Sequence, residues 1–172
     1  MSWRVRGATA ADAEALALVA SATFLETFAG LFEGRDIVAH CAANNTPDTF
    51  TLWANDPSAS VLIAEVESGR APIGYAVLAE QDLPIAAGPA DIELKRIYAL
   101  SLMHGTGVGA ALMATAIEDA GRMGRRRVLL GVYARNPRAH AFYKRQGFEV
   151  IGQRKFLVGS TLQDDLVFAR EI

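Results

Sequence analysis

The sequence contains little cysteine and little histidine, and it has no long apolar run. A single cysteine, Cys41, cannot form an internal disulfide, and three scattered histidines beside that one thiol give no metal-ligand spacing. No apolar stretch approaches the roughly 18 residues that a membrane span requires, and the first residues lack the apolar segment of a secretory signal. We therefore expect a cytoplasmic protein that holds no metal and has no membrane partner.

A large charge of one sign is also missing. The 17 Lys and Arg residues are balanced by 19 Asp and Glu residues, which gives a formal net charge of -2. That balance argues against a nucleic-acid partner, and the run of arginines at 125–127 is better explained as a helix end followed by a strand. With 172 residues, of which 51% are hydrophobic, the chain can bury a substantial core. We expect one domain that spans residues 1–172.

Hydrophobic periodicity predicts a mixed α/β protein. Segments that alternate in polarity or are β-branched indicate strands, and apolar residues at helical spacing indicate helices. The predicted strands cover 3–7, 61–66, 73–78, 92–100 and 127–133, with two more within 148–172 around Gly159 and Ser160. The predicted helices cover 12–28, two short pieces within 34–57, 105–121 and 136–146. This order of elements predicts a mixed sheet with helices on both faces.

A glycine-rich segment, His104-Gly-Thr-Gly-Val-Gly109, lies between a predicted strand and a predicted helix. Successive N–H groups at a helix start can bind a phosphate without a charged side chain, although the glycines could also only relieve strain in a turn. A nucleotide P-loop would need Lys and then Ser or Thr, and here Gly109 is followed by two alanines. A dinucleotide fingerprint fits poorly, because no acidic residue stands about twenty residues further on.

In the frame His104-x-x-Gly107-x-Gly109 the segment resembles the pyrophosphate-binding motif of the GNAT N-acyltransferase superfamily. A second block, from Asn136 to Tyr143 followed by Gly147-Phe148, is similar to the second acyl-CoA segment of that superfamily. His104 departs from the pattern, since the family more often has Gln or Arg there. The resemblance implies a central, mostly antiparallel sheet of about seven strands with helices on both faces, and acetyl-CoA as co-substrate.

The resemblance also implies which residues bind the cofactor. Main-chain N–H groups of the glycine segment would take the pyrophosphate, and the main chain of Ile97 and Ala99 would bind pantetheine beside a strand that splays from its neighbour. The N–H of Ala99 would also stabilise the developing oxyanion. The expected cofactor-binding residues are Ile97, Ala99, His104, Gly105, Thr106, Gly107, Val108, Gly109, Ala110, Asn136, Ala139, Phe142, Tyr143 and Arg145.

Two residues are the candidate catalytic groups. The Tyr143 hydroxyl could protonate the departing thiolate, because a thiol and a phenol have comparable pKa values. Glu93 would remove the amine proton through water, as a strand glutamate does in some relatives. Structural roles compete with each of these: Tyr143 as a core residue, Glu93 in an ion pair with Lys95 or Arg96, and Asn136 as a helix cap followed by Pro137.

The acceptor site is expected within residues 23–36, where family members build substrate specificity. Phe24, Phe28 and Phe32 recur every four residues, which by default indicates a core stripe. With Thr27 they could instead bind substrate, and Glu26, Glu33 and Asp36 would add carboxylates at the margin. The Thr-Phe-x-x-Thr-Phe helix and the segment Leu94-Lys-Arg-Ile-Tyr98 look like a bacterial branch that includes spermidine/spermine N-acetyltransferases.

The sequence therefore predicts an N-acetyltransferase that moves an acetyl group from acetyl-CoA to a primary amine by direct attack in a ternary complex. The acceptor would be a small-molecule amine, for example a polyamine, or a peptide amine. The alternative is a non-catalytic module that binds or senses acyl-CoA, and an NAD(P) enzyme is a third candidate. The exposed edges of a mixed sheet would suit a homodimer.

Overall fold

Strands and helices follow one another along the chain in the predicted order. The computed structural model describes residues 1–172. The strands are β1 (Trp3–Gly7), β2 (Ser60–Val66), β3 (Pro72–Ala79), β4 (Asp91–Ala99), β5 (Arg127–Tyr133), β6 (Glu149–Val158) and β7 (Thr161–Glu171). The helices are α1 (Ala13–Phe28), α2 (Gly34–Asn44), α3 (Pro47–Asn55), α4 (Val108–Arg122) and α5 (Pro137–Arg145). The largest difference from the prediction is the start of α4, which lies at Val108 instead of Gly105, because Gly105 and Gly107 form a turn before the helix that we call the glycine turn.

All seven strands form one sheet in the order β1-β2-β3-β4-β5-β7-β6. Every neighbouring pair is antiparallel except β4 and β5, which are parallel. The expected mixed and mostly antiparallel sheet is confirmed.

The parallel pair β4–β5 is joined only at its beginning. Asp91–Glu93 pairs with Arg127–Leu129, and neither strand pairs with the other beyond that point. On its other side β4 stays paired with β3 as far as Ala99, with a shift in register opposite Val77 and Leu78. The carboxyl-terminal half of β4 therefore lies beside an open gap, which we call the slot.

Helices cover both faces of the sheet, as the alternation of its side chains requires. On one face α4 packs over a core that includes Leu62, Ala76, Ile92 and Leu94, and α5 adds Tyr143 to the same cluster. On the other face α1 and α3 cover residues of the opposite alternation, among them Ile63, Tyr75 and Val77. None of the five helices is both long enough and apolar enough to cross a membrane.

Asp36 fastens α2 to the turn between β6 and β7. Its carboxylate is buried and accepts hydrogen bonds from the Ser160 N–H at 3.1 Å, the Ser160 hydroxyl at 3.2 Å and the Thr161 hydroxyl at 2.7 Å. These donors hold the pKa of Asp36 below its usual range. Gly159 has φ +56° and passes so close that a Cβ there would lie within 3 Å of Asp36. The expectation that Asp36 adds a carboxylate to the acceptor margin is therefore wrong, because three hydrogen bonds hold it in this turn and it does not line the cavity described below.

Candidate active site

A cavity of about 1240 Å³ opens at the slot and reaches both faces of the sheet. On one side it is lined by the glycine turn and by α5; we call this the donor side. On the other side it is lined by the end of α1, by α2 and by side chains of β4, β6 and β7; we call this the acceptor side. Two molecules that enter from opposite faces can therefore meet beside the free edge of β4.

The glycine turn presents main-chain N–H groups without hydrogen-bond partners to the donor side. Gly105 and Gly107 have φ values of +81° and +92°, which side-chain-bearing residues rarely adopt, and Gly107 caps α4. The first internal bond of α4 runs from the Ala111 N–H to the Gly107 carbonyl, at 2.9 Å. This leaves free N–H groups at positions 105, 107, 108, 109 and 110. Such donors, with the helix dipole behind them, fit a diphosphate.

Two predicted members of the turn contribute differently. The Thr106 N–H and hydroxyl both donate to the Met103 carbonyl, at 3.2 and 2.7 Å, so Thr106 has no donor free for a phosphate. Val108 is fully buried in the core, so only its main chain faces the site. The prediction of an unbroken run of donors from Gly105 to Ala110 is thus corrected at Thr106, whose hydrogen bonds close the turn.

His104 lies against the edge of β4. Its Nε2 is 3.2 Å from the Ala99 carbonyl oxygen, and burial lowers the pKa of the imidazole. The residue that departs from the family pattern therefore contacts the strand edge that borders the slot.

The main chain of Ile97 and Ala99 faces the slot. The Leu100 N–H donates to the Ile73 carbonyl of β3 at 2.9 Å. Because successive N–H groups of a strand point to opposite edges, those of Ala99 and Ile97 point away from β3, into the gap left by β5. Both residues line the cavity, as predicted.

Helix α5 presents one face to the same gap. The side-chain oxygen Oδ1 of Asn136 accepts a hydrogen bond from the Ala139 N–H at 3.1 Å, so Asn136 caps the helix, and it also lines the cavity. Ala139 and Phe142 line the cavity, and a Cβ on Gly109 would touch the Phe142 ring at 3.6 Å. Arg145 is exposed at the rim, with no carboxylate partner.

Tyr143 is both a core residue and a cavity residue. It is 9% exposed, with ring centroids 6.0 Å from Phe148 and 5.9 Å from Phe168. The Tyr133 hydroxyl accepts a hydrogen bond from Arg135 Nε, whereas the Tyr143 hydroxyl makes none within the chain. Burial raises the pKa of Tyr143, so the hydroxyl holds its proton at neutral pH. The ring of Tyr143 therefore packs in the core, while its hydroxyl is in a position to donate a proton at the cavity.

Glu93 is buried at the beginning of the slot, where β4 and β5 separate. Its Oε2 lies 2.7 Å from Lys95 Nζ and accepts the Asp82 N–H at 3.2 Å, and its Oε1 is 3.8 Å from Arg154 Nη1. Burial raises the pKa of the carboxyl group, and Lys95 partly offsets that effect. The ion pair with Lys95, which is the structural alternative to a catalytic role for Glu93, is present. The sequence led us to expect a half-exposed strand, but Glu93 is buried.

Aromatic side chains wall the acceptor side. Phe24 and Phe28 have centroids 4.6 Å apart, and Phe28 stacks on Phe32 at 4.5 Å, although Phe32 lies beyond the end of α1. Tyr133 meets the edge of Phe32 at 5.1 Å. The three phenylalanines and Thr27 all line the cavity. The phenylalanines also pack together in a core cluster, so they belong both to the core and to the cavity wall.

Several cavity residues were not identified from the sequence. Arg154 on β6 donates to Asp165 on β7 at 3.2 Å, and a Cβ on Gly131 would collide with its guanidinium. No local motif marks these residues, because strands far apart in the sequence bring them together. Arg96 and Tyr98 could have been identified from the sequence. They alternate along β4 with Ile97 and Ala99, so their side chains point to the opposite face of the sheet.

The fold and the site together define a transferase-like architecture, with a glycine-rich turn that presents free N–H groups and a split sheet. The chain matches the acetyltransferase (GNAT) family over residues 22–148. It is 36% identical over 161 residues to an uncharacterized N-acetyltransferase of Mycobacterium tuberculosis, covering 94% of this chain and 98% of that relative. The protein therefore belongs to the GNAT family and is an acyltransferase.

Solved structures share the fold. The PaiA N-acetyltransferase of Thermoplasma acidophilum, in complex with coenzyme A, superposes with a TM-score of 0.82 at 22% identity, and 100% of both chains is covered. YncA of Salmonella typhimurium, a putative acetyltransferase solved with acetyl-CoA, gives a TM-score of 0.69 at 20% identity, over 99% of this chain and 94% of that one.

Proposed function

We propose that this protein transfers an acetyl group from acetyl-CoA to a primary amine, by direct attack of the amine in a ternary complex. The observation that carries the proposal is the row of free N–H groups at the start of α4, next to the unpaired edge of β4. One end of this arrangement suits a diphosphate, and the other suits an extended amide-containing chain. The solved neighbours that hold coenzyme A or acetyl-CoA share this fold and support the choice of ligand.

The residues present fit coenzyme A along its length. The N–H groups of the turn would hold the diphosphate, and Arg145 at the rim is placed for a further phosphate. The main chain of Ile97 and Ala99 would pair with the pantetheine amides, while Ala139 leaves room beside α5. The Ala99 N–H would also donate to the thioester carbonyl oxygen as negative charge develops there.

Acetyl-CoA supplies a thioester whose carbon–sulfur bond breaks as the amine nitrogen bonds to the carbonyl carbon; the sulfur gains one proton and the nitrogen loses one. Tyr143 holds a proton at neutral pH beside the slot, and we assign it as the donor to sulfur. Glu93, whose pKa is raised by burial, is the proposed acceptor of the amine proton through water. Its pairing with Lys95 lowers that pKa in part and so favours the ionised form that can accept a proton.

The proposal is tested by release of free thiol from acetyl-CoA with a panel of amines that includes polyamines, amino acids and peptide N-termini. The expected result is thiol release that depends on an amine and equals the amount of acetylated amine. Binding of coenzyme A without thiol release from any amine would instead identify an acyl-CoA-binding module. Thermal stabilisation by NAD(P) but not by coenzyme A would overturn the acyltransferase assignment of the site.

A further inference from the structure

Three of the four carboxylates that line the cavity are already paired with a cation. Asp82 and Glu93 both pair with Lys95 Nζ, at 2.9 and 2.7 Å, and Asp165 pairs with Arg154 at 3.2 Å. Glu26, the remaining carboxylate on the cavity wall, accepts the N–H and the hydroxyl of Ser101 at 2.8 and 3.1 Å. A polyamine carries several positive charges, and here it would meet only one carboxylate, that of Glu26, that has no cationic partner within 4.0 Å.

One cation on the acceptor side, by contrast, has no counter-charge. Arg96 is half-buried and lines the cavity, and no carboxylate lies within 4.0 Å of it. Its Nη1 donates to Asn45 Oδ1 at 2.6 Å and its Nη2 to the Asn44 carbonyl at 3.1 Å, and its guanidinium lies 4.9 Å from the Trp53 ring centroid. A guanidinium is charged at every physiological pH, and a charge withdrawn from water normally has an ionic partner.

The surroundings of Arg96 do not supply that partner. On α2, burial, together with the positive charge of Arg96, lowers the pKa of His40 to about 4, so this side chain is neutral at pH 7. Neutral amides, aromatic rings and this neutral imidazole thus surround a fixed positive charge that opens onto the cavity. They orient the guanidinium and leave its charge uncompensated.

The other cavity arginines without a carboxylate partner lie elsewhere. Arg138 and Arg145 are in α5, on the donor side, where the proposed cofactor brings phosphates, and Arg135, just before α5, is exposed and donates to the Tyr133 hydroxyl. Arg96 contacts Phe50 and Trp53 of α3, on the opposite face of the sheet. Phosphates of the cofactor therefore do not account for Arg96.

We propose that Arg96 binds a carboxylate of the acceptor, so that the substrates of this enzyme are amines that also carry a carboxylate. The inference rests on the proposed acetyl transfer and adds the chemical class of the acceptor. Tyr98 lies on the same face of β4 two residues nearer the end of the strand, between Arg96 and the slot-facing N–H of Ala99. An acceptor held at Arg96 would extend along Tyr98 toward the slot, with its apolar part against the wall formed by Phe24, Phe28 and Phe32.

The test uses acceptor pairs that differ only in the carboxylate: phenylalanine with phenethylamine, and lysine with 1,5-diaminopentane. For wild-type protein we expect kcat/KM to be about 10-fold or more higher for the carboxylate member of each pair. In Arg96→Gln the advantage should fall by about 10-fold, mainly through KM, and Arg96→Lys should restore part of it. Coenzyme A affinity should stay unchanged in all variants.

The controls separate recognition from folding. Arg126→Gln removes one exposed, unpaired cation outside the cavity, and it should leave both members of each pair within about 2-fold of wild type, since distant surface charges are screened. Arg96 also holds Asn44 and Asn45, so thermal unfolding and coenzyme A binding are measured for each variant. The ratio of rates within a pair, measured on one preparation, does not depend on the fraction of folded protein.

Preference of the wild-type enzyme for the decarboxylated amines or for spermidine would overturn the inference. An equal loss for both members of a pair in Arg96→Gln would do the same, because it would reduce Arg96 to a support for the turn between α2 and α3. Absence of thiol release with every amine is a different result: it would contradict the proposed acetyl transfer itself.

Discussion

The two sides of the cavity recognise their ligands by different physical means. The donor side offers main-chain N–H groups, fixed by two glycines in left-handed conformations and by a helix start. The acceptor side offers rings and charged side chains, contributed by α1, α2, β4, β6 and β7. Main-chain donors depend on backbone shape and tolerate changes in the side chains around them, whereas each side chain of the acceptor wall can change independently. One fold can therefore keep a common donor while it varies the acceptor.

The largest effect is expected where the two sides meet. Tyr143→Phe removes the proposed proton donor without changing the packing of the ring against Phe148 and Phe168. We expect kcat to fall about 100-fold, as is typical for loss of a general acid. Coenzyme A affinity and thermal stability should be nearly unchanged, which a titration and a melting curve will show. A kcat equal to that of wild type would leave Tyr143 with its packing role alone.

The acceptor side should make stability depend on pH. The pKa of His40 is about 4 in the folded protein, against an ordinary value of 6.5. Between these two pH values His40 is therefore protonated in the unfolded chain and neutral in the folded one. Stability is therefore complete above pH 6.5 and is lost as the pH falls toward 4. From pH 7 to 4.5 this loss should be about 2 kcal/mol, measured by urea unfolding, and it should be absent from His40→Gln. Equal pH dependence in the two proteins would show that His40 is not the group responsible.

The donor side should instead be sensitive to backbone conformation. Gly107→Ala places a Cβ at φ +92°, which costs about 1–2 kcal/mol, and the turn would relax away from the shape that aims its N–H groups. We expect coenzyme A affinity to fall about 10-fold by calorimetry. Gly121→Ala is the matched control, since this helical glycine has an ordinary φ and open space around it. If both variants bind equally well, the turn is not a conformational requirement for binding.

The smallest effect concerns the support of the acceptor wall. Asp36→Asn weakens the hydrogen bonds that join α2 to the β6–β7 turn, and the melting temperature should fall by about 3 °C. Glu33→Gln changes an exposed carboxylate just before α2, whose side chain makes no capping bond, and it should not alter the melting temperature. Coenzyme A affinity should be the same in both variants, because neither change reaches the donor side.

Sequence reasoning predicted the donor side far better than the acceptor side, and the reason is physical. The turn at 104–109 and the cap at Asn136 are local, so residue types at short spacing reveal them. Thr106 was misjudged because its hydrogen bonds to Met103 depend on the exact path of the turn. The pairing of Glu93 with Lys95 was one of the alternatives that the sequence offered, because the two residues are close along one strand. Arg154 is contributed by a distant strand, so no local pattern shows that it lies near Glu93 or that Arg96 has no carboxylate partner.

The short pairing between β4 and β5 has a mechanical consequence. Three residue pairs join the four-stranded half of the sheet to the remaining three strands, and beyond them the hydrogen-bonding edge of β4 is bare. An extended amide chain lying there acts as a missing strand, completing the ladder and tying the two halves together. We therefore expect the bound cofactor also to stabilise the contact between the two parts of the sheet. Its release after each turnover should make the sheet more mobile at the slot, where the next substrate must enter.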